Sequence, residues 1–236
     1  MNTNIFGIGE TREHEDSDHW MSVSDLMSGL MIVFLFISIA LMRTAFIERD
    51  KIKQVAVAYQ EKQVALYEAL QLEFTKDLKK WNAEIDSATL SVEFKSPDIL
   101  FVAGSADLRP AFRDVLTDFF PRYLKVLSGF RDSIGEVRIE GHTSSKWNQN
   151  SSPDEAYFRN MALSQERTRS VLLYAQMLDA IKSERDWVRR NVAAVGFSSS
   201  RLVLNSQGLE DEEGSRRVSF RVITNAETQI RRILED

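Results

Sequence analysis

The stretch Trp20-Met-Ser-Val-Ser-Asp25-Leu-Met-Ser-Gly-Leu-Met-Ile-Val-Phe-Leu-Phe-Ile-Ser-Ile-Ala-Leu-Met42 decides how this chain is built. No charged residue occurs from Leu26 to Met42, and the apolar pattern begins at Met21. At about 1.5 Å of rise per residue, Met21 to Met42 spans roughly 33 Å as a helix, enough for a hydrocarbon core of about 30 Å. One carboxylate, Asp25, sits inside the first turns of that span. An ionisable side chain at membrane depth costs about 2.5–3.5 kcal/mol on insertion scales, so its presence asks for a partner or a task. Ser22, Asp25 and Gly29 share one helical face with Ser28 beside it, small and polar residues where another helix can approach closely. A single span cannot enclose an ion path, so this face calls for a channel-forming partner. The other reading of Asp25 is a cap, together with Ser22 and Ser24, at the start of a helix in the membrane interface.

The flanks distinguish an anchor from a leader peptide. Residues 1–19 carry Arg12 against Glu10, Glu13, Glu15, Asp16 and Asp18, and no small-x-small cleavage site follows the apolar run. The run therefore reads as a retained transmembrane helix over residues 20–43, preceded by a polar, acidic tail over residues 1–19. By the positive-inside rule, Arg43, Arg49, Lys51 and Lys53 against Arg12 alone would put the C-terminal part in the cytoplasm.

Composition narrows the function classes. The chain has 236 residues, room for one ordinary domain and a connector beyond the span. A net charge of −5 offers no basic footprint for nucleic acid. Without cysteine there are no disulfides, thiolate nucleophiles or cysteine zinc sites, and three histidines (His14, His19, His142) argue against a histidine-rich metal centre. No metal or organic cofactor is expected. No Ser/His/acid order and no phosphate-binding glycine loop are found, so the chain is not read as an enzyme.

Residues 44–88 read as a helical stalk or linker. No Gly or Pro occurs from Leu30 to Ser96, and the apolar stripe there is Ile47, Ile52, Val55, Tyr59, Val64, Leu66, Leu70, Phe74, Leu78, Trp81 and Ile85. The stripe has helical spacing with an imperfect heptad, and as one helix residues 44–86 reach roughly 65 Å. An extended, self-associating stalk is expected, the alternative being an amphipathic helix folded on the downstream domain.

A folded domain is expected over residues 89–236. Strands are predicted near Leu90–Phe94, Val137–Gly141, Val192–Gly196 and Val218–Ile223, with extended backbone at Ile99–Val102 after a break at Ser96-Pro97-Asp98. Helices are predicted from Pro110 to about Leu127, over about 157–181 and over Glu184–Asn191, with a polar loop at Ser144–Glu155. Strands alternating with helices and ending in a hairpin indicate an α+β fold, a two-layer α/β sandwich with a mixed sheet.

Three pieces of this domain resemble the OmpA-like peptidoglycan-binding family, also carried by the flagellar stator protein MotB. They are Leu100-Phe-Val-Ala-Gly-Ser-Ala-Asp-Leu108, Ile139-Glu-Gly-His-Thr143, and Asn160-Met-Ala-Leu-Ser-Gln-Glu-Arg167 followed by Val171; Arg216-Arg217-Val218 is a weaker fourth. The resemblance implies binding of the diaminopimelate-containing stem peptide of peptidoglycan by Thr143, Ser144, Asn160, Leu163 and Arg167. A fixed guanidinium at Arg167 suits a carboxylate-bearing ligand. The family's aspartate after Gly-His-Thr is Ser144 here, which removes a carboxylate expected to hold the ligand's ammonium; Asp154 or Glu155 are the candidate substitutes. His142 is read as a structural hydrogen-bonding residue.

The span also resembles that of MotB, with a tryptophan shortly before an aspartate. Single-span proteins of the ExbD and TolR type share the aspartate without the OmpA-like domain. The acidic tail and unbroken helix after the span depart from flagellar MotB and are similar to the MotB-like subunit of Zorya anti-phage defence systems. The resemblance implies a homodimer inside a MotA-like, ZorA-like partner of five copies, with H+ as coupling ion and Asp25 as its carrier. It further implies a bacterial inner-membrane location, the N-terminus cytoplasmic and the C-terminal domain periplasmic at the wall. A carboxyl group in low dielectric is penalised in its charged form, which is what lets it alternate between protonated and charged states. A flagellar-type stator and a passive membrane-tethered wall anchor without ion flow remain the alternatives.

Overall fold

The computed structural model describes residues 12–95 and 97–226, with side chains from residue 23 onward apart from 97 and 98. The expected tail over residues 1–11, the break at Ser96 and the side chain of Ser22 lie outside the described residues. The chain divides into two compact units, Met1–Gln54 and Val55–Asp236.

The first unit is the N-terminal part of helix α1, Arg12–Trp81. Its apolar side chains are exposed, Leu26 by 72%, Met31 by 74% and Phe36 by 68%, an arrangement that water does not favour. The helix is long and apolar enough to cross a membrane by length and composition, with a mean hydropathy of 2.4 in its most apolar window. Two of its hydroxyls bond back within the helix: Ser28 Oγ donates to the Ser24 carbonyl at 2.8 Å and Thr44 Oγ1 to the Ala40 carbonyl at 3.2 Å. Because α1 is already helical from Arg12, Asp25 stands in its interior and is not its N-cap. Part of the polar tail expected before residue 20 is therefore helical as well.

The second unit comprises the C-terminal part of α1 and a five-stranded mixed sheet with its helices. The elements in order are β1 (Ala83–Asp86), β2 (Ser91–Lys95), α2 (Pro97–Leu100), α3 (Pro110–Ser128), β3 (Ile134–His142), α4 (Pro153–Met177), α5 (Arg185–Asn191), β4 (Val192–Gly196), α6 (Glu212–Ser215) and β5 (Arg217–Thr224). The sheet order is β1-β2-β5-β3-β4; β3 and β4 run parallel and the other neighbours antiparallel.

Strand alternation sorts the two faces of the sheet. Val92, Phe94, Val137, Ile139, Val218, Phe220 and Val222 point into the core. Helix α3 answers with Phe112, Leu116, Phe119, Phe120, Tyr123, Leu124 and Leu127, spaced for one helical face after Pro110 at the helix start. Phe119 is the hub, its ring 5.1 Å from Phe74, 5.1 Å from Phe94, 5.0 Å from Tyr123 and 5.0 Å from Phe220. Helix α4 lies close on the same face. A Cβ at Gly141 would meet the Ser164 carbonyl at 2.7 Å, and one at Gly196 would meet the Gln165 amide at 2.5 Å.

Several expectations are corrected. The domain edge placed at residue 89 falls inside the packed unit, because Leu66, Leu70, Phe74 and Trp81 of α1 are buried in its core. Arg122 holds that segment to α3, donating to Glu73 Oε1 at 2.7 Å and Asp77 Oδ2 at 2.9 Å, with Asp118 Oδ2 at 3.2 Å. Ile99–Val102 is not a strand: Pro97 opens the short helix α2, and only Phe101 bridges, to Leu108. Helix α4 begins at Pro153, with Ser152 Oγ capping the Glu155 amide, and ends at Met177 rather than running to 181. The last two strands do not form a hairpin, since β5 inserts between β2 and β3; the hairpin in this sheet is β1–β2.

Candidate functional site

At the C-terminal end of β3, the strand, helix α4 and two loops enclose a pocket of about 250 Å3. Thr143, Ser144, Asn160, Leu163 and Arg167 all line it, joined by Gly104, Lys146, Trp147 and Arg216. The spacing of Asn160, Leu163 and Arg167 by three and four residues places them on one face of α4.

Each group is fixed by its own contacts. Asn160, 4% exposed, donates from Nδ2 to the Ser144 carbonyl at 3.1 Å and the Lys146 carbonyl at 3.2 Å, fastening the loop after β3 to the helix. Arg167, 8% exposed, donates from Nε to the Ser105 carbonyl at 3.0 Å and lies over the Phe101 ring at 4.8 Å. Ser105 is presented by a tight turn in which its amide donates to the Val102 carbonyl at 3.0 Å and its Oγ donates to Asp107 at 2.8 Å, with Gly104 at a φ of +68°. The segment Phe101–Leu108 is thus the clamp for the arginine. Thr143 is held from the side by its amide, which donates to the Ser198 carbonyl at 2.9 Å, while its Oγ1 is buried without a hydrogen-bond partner among the described residues.

The opposite face of the sheet carries a polar cluster behind this pocket. His142 stacks on Phe197 at 5.4 Å with the planes 6° apart, and its Nε2 stands 3.5 Å from Glu140 Oε2. Arg201 reaches Glu140 at 3.1 Å and lies 3.8 Å from the Phe197 ring centre. Burial lowers the pKa of His142 below its ordinary range. Burial pushes the Glu140 carboxyl up, but His142, Arg201 and Arg221 outweigh it and leave the pKa below the ordinary value. His142 is therefore a packed scaffold residue, turned away from the pocket that Thr143 lines.

Neither Asp154 nor Glu155 lines the pocket; Glu155 pairs with Arg159 at 2.8 Å on the exposed side of α4. Sequence reasoning missed Lys146, Trp147 and Arg216 as lining residues. Lys146 and Trp147 stand two and three residues after Ser144, and Arg216 opens the quoted Arg-Arg-Val, so proximity to the motifs was the available signal. The structure places Asp25, Ser28 and Gly29 on α1 with their surroundings open: they are exposed, and a Cβ at Gly29 would meet nothing within 4 Å.

No protein-family model matches the sequence. Among solved structures, the cell wall anchor of the T6SS from Pseudomonas aeruginosa is 23% identical with a TM-score of 0.43, covering 66% of this chain and 96% of that one. A MotB-like protein from Desulfovibrio vulgaris is 16% identical with a TM-score of 0.47, covering 73% and 98%. The periplasmic domain of Helicobacter pylori MotB is 13% identical with a TM-score of 0.40, covering 61% and 83%. Zorya protein ZorB of Escherichia coli is 54% identical over 232 residues, 98% of this chain and 99% of that protein. At that identity over nearly the whole of both chains, this protein belongs to the ZorB family.

Proposed function

We propose that this chain is the wall-anchored subunit of a proton-driven inner-membrane motor of the MotA/MotB type, acting in Zorya anti-phage defence. The single observation that carries the wall-binding half is the convergence of Thr143, Ser144, Asn160, Leu163 and Arg167 on one pocket. A guanidinium held by Ser105 and Phe101 is preorganised for a ligand carboxylate, so little rotamer entropy is lost on binding. The ligand in this reading is the diaminopimelate-bearing stem peptide of peptidoglycan.

The membrane half rests on Asp25, a carboxylate inside an apolar helix, with Ser28 and Gly29 of its small-residue face exposed among the described residues. Two copies of this chain sit within a pentameric MotA-like, ZorA-type partner, with the N-terminus cytoplasmic and residues 55–236 periplasmic. Protons pass one at a time to Asp25, each releasing about 2.3 kcal/mol per 100 mV, and each neutralisation changes how the partner helices pack. The wall anchor gives that repacking something to turn against.

The anchor is tested by sedimenting the full-length protein in detergent with purified peptidoglycan. Wild type co-sediments, and Arg167→Ala binds about tenfold more weakly or worse, as expected for truncating one member of a buried charge pair. Arg167→Lys does not recover it, because an ammonium lacks the planar fork. Equal sedimentation of wild type and Arg167→Ala contradicts the assignment.

A further inference from the structure

We propose that the polar cluster on the far face of the sheet is a second binding site, a pit that takes an α-amino carboxylate zwitterion. Strand alternation builds it. Arg217, Ser219 and Arg221 share one face of β5, and Ser219 stands opposite Glu93 of β2 on one side and Glu140 of β3 on the other. With strands about 4.8 Å apart, the two glutamate positions are roughly 10 Å apart across the smallest side chain of the three. Arg217 and Arg221 bracket that gap along the strand, and His142 and Arg201 close its sides. The cavity is about 180 Å3, below the roughly 300–1,000 Å3 of sites for drug-sized ligands, so it suits a small molecule.

Donors and acceptors meet there without partners among the described residues. Glu140 Oε1, His142 Nδ1, Ser219 Oγ, Arg217 Nε and Arg221 Nε are all buried and make no hydrogen bond. The side chains of Glu140 and His142 are 4% and 1% exposed, where an unmet polar atom is costly.

The ion pairs decide what such a ligand carries. Arg201 reaches Glu140 at 3.1 Å, Arg221 reaches it at 3.8 Å, and Arg217 stands 3.3 Å from Glu93. A lone anion entering the pit meets two carboxylates, and a lone cation meets three guanidiniums. A molecule bearing both charges on adjacent atoms satisfies each sign: its carboxylate accepts from Arg217 Nε and Arg221 Nε, and its ammonium donates to Glu140 Oε1. A free amino acid and the zwitterionic end of a wall diamino acid share this chemistry. The site is independent of the Arg167 pocket, which lies on the other face.

The test titrates the full-length protein in detergent with alanine, and with propionate and ethylamine as its single-charge halves, by calorimetry. Alanine binds saturably and at least tenfold more tightly than either half, in wild type and in Arg167→Ala alike. Ser219→Val, which fills the floor, weakens alanine at least tenfold. Arg221→Met, at the mouth with its side chain 31% exposed, does the same should the first variant fail to fold. Displacement of alanine by a muropeptide with a free diamino end identifies the wall as the source of the ligand; failure to displace it identifies a free amino acid. No saturable binding of alanine, halves that bind as well, or undiminished binding in the folded variants overturns the site.

Discussion

Glu140 and His142 show how single side chains behind the pocket set the domain's tolerance of acid. Both are buried, and both are held in the form they take at neutral pH: the histidine neutral by burial, the glutamate charged by His142, Arg201 and Arg221 against the cost of burial. Unfolding returns each to its ordinary value, so the unfolded chain binds protons that the folded chain refuses. The stabilisation from His142 is fully present above its ordinary pKa of about 6.5 and is lost progressively as pH falls from there through its lower folded-state pKa; that from Glu140 is present above about pH 4.5 and is lost in the same way further down. The melting temperature of residues 55–236 therefore falls in two stages on acidification from pH 7 to 4. Glu140→Gln lowers stability at pH 7 and flattens the lower stage, which thermal melts across pH would record; an unchanged slope in that variant would remove Glu140 from the account. At this scale much was readable beforehand. Asn160, Leu163 and Arg167 share a helix face by spacing alone, whereas the Ser105 carbonyl that fixes Arg167 comes from a turn whose partner, 62 positions away, no local pattern identifies.

At the scale of elements, helix α1 serves two environments that its sequence does not separate by any glycine or proline. The stripe Leu66, Leu70, Phe74 and Trp81 has the spacing of a self-associating stalk, and equally of a helix docked on a core. Periodicity reports that a face is apolar and is silent about what covers it. The aromatic ring stack around Phe119 and the three carboxylates around Arg122 supply that missing fact. Phe74→Ala in residues 55–236 should cost about 3–5 kcal/mol, the usual range for emptying a buried phenylalanine site. Residues 89–236 lack this helix and β1, so they should show no cooperative thermal unfolding where residues 55–236 do. A cooperative melt of 89–236 matching that of 55–236 would mean the docked helix is dispensable. The strand β5 was readable as a strand but not in its place, because insertion between β2 and β3 is a long-range pairing with no local signal.

Across the whole molecule, one chain combines an apolar helix bearing a carboxylate with a domain whose pocket gathers the five residues that its motifs single out. The α+β class and the mixed sheet followed from alternating strand and helix patterns, and membership of the ZorB family agrees with the combination of the two parts. The flanking charges point the other way on orientation, and their weight depends on Arg43, Arg49, Lys51 and Lys53, which are interleaved with Glu48 and Asp50. In the proposed reading, wall anchoring and ion flow are separable properties: a passive anchor would need only the pocket, and a motor would need Asp25 as well. The most direct measurement is phage plating on cells that carry the complete system with Asp25→Asn, with co-purification of the membrane partner as the control for assembly. The account predicts an intact complex and loss of protection; full protection by an assembled Asp25→Asn complex would contradict it.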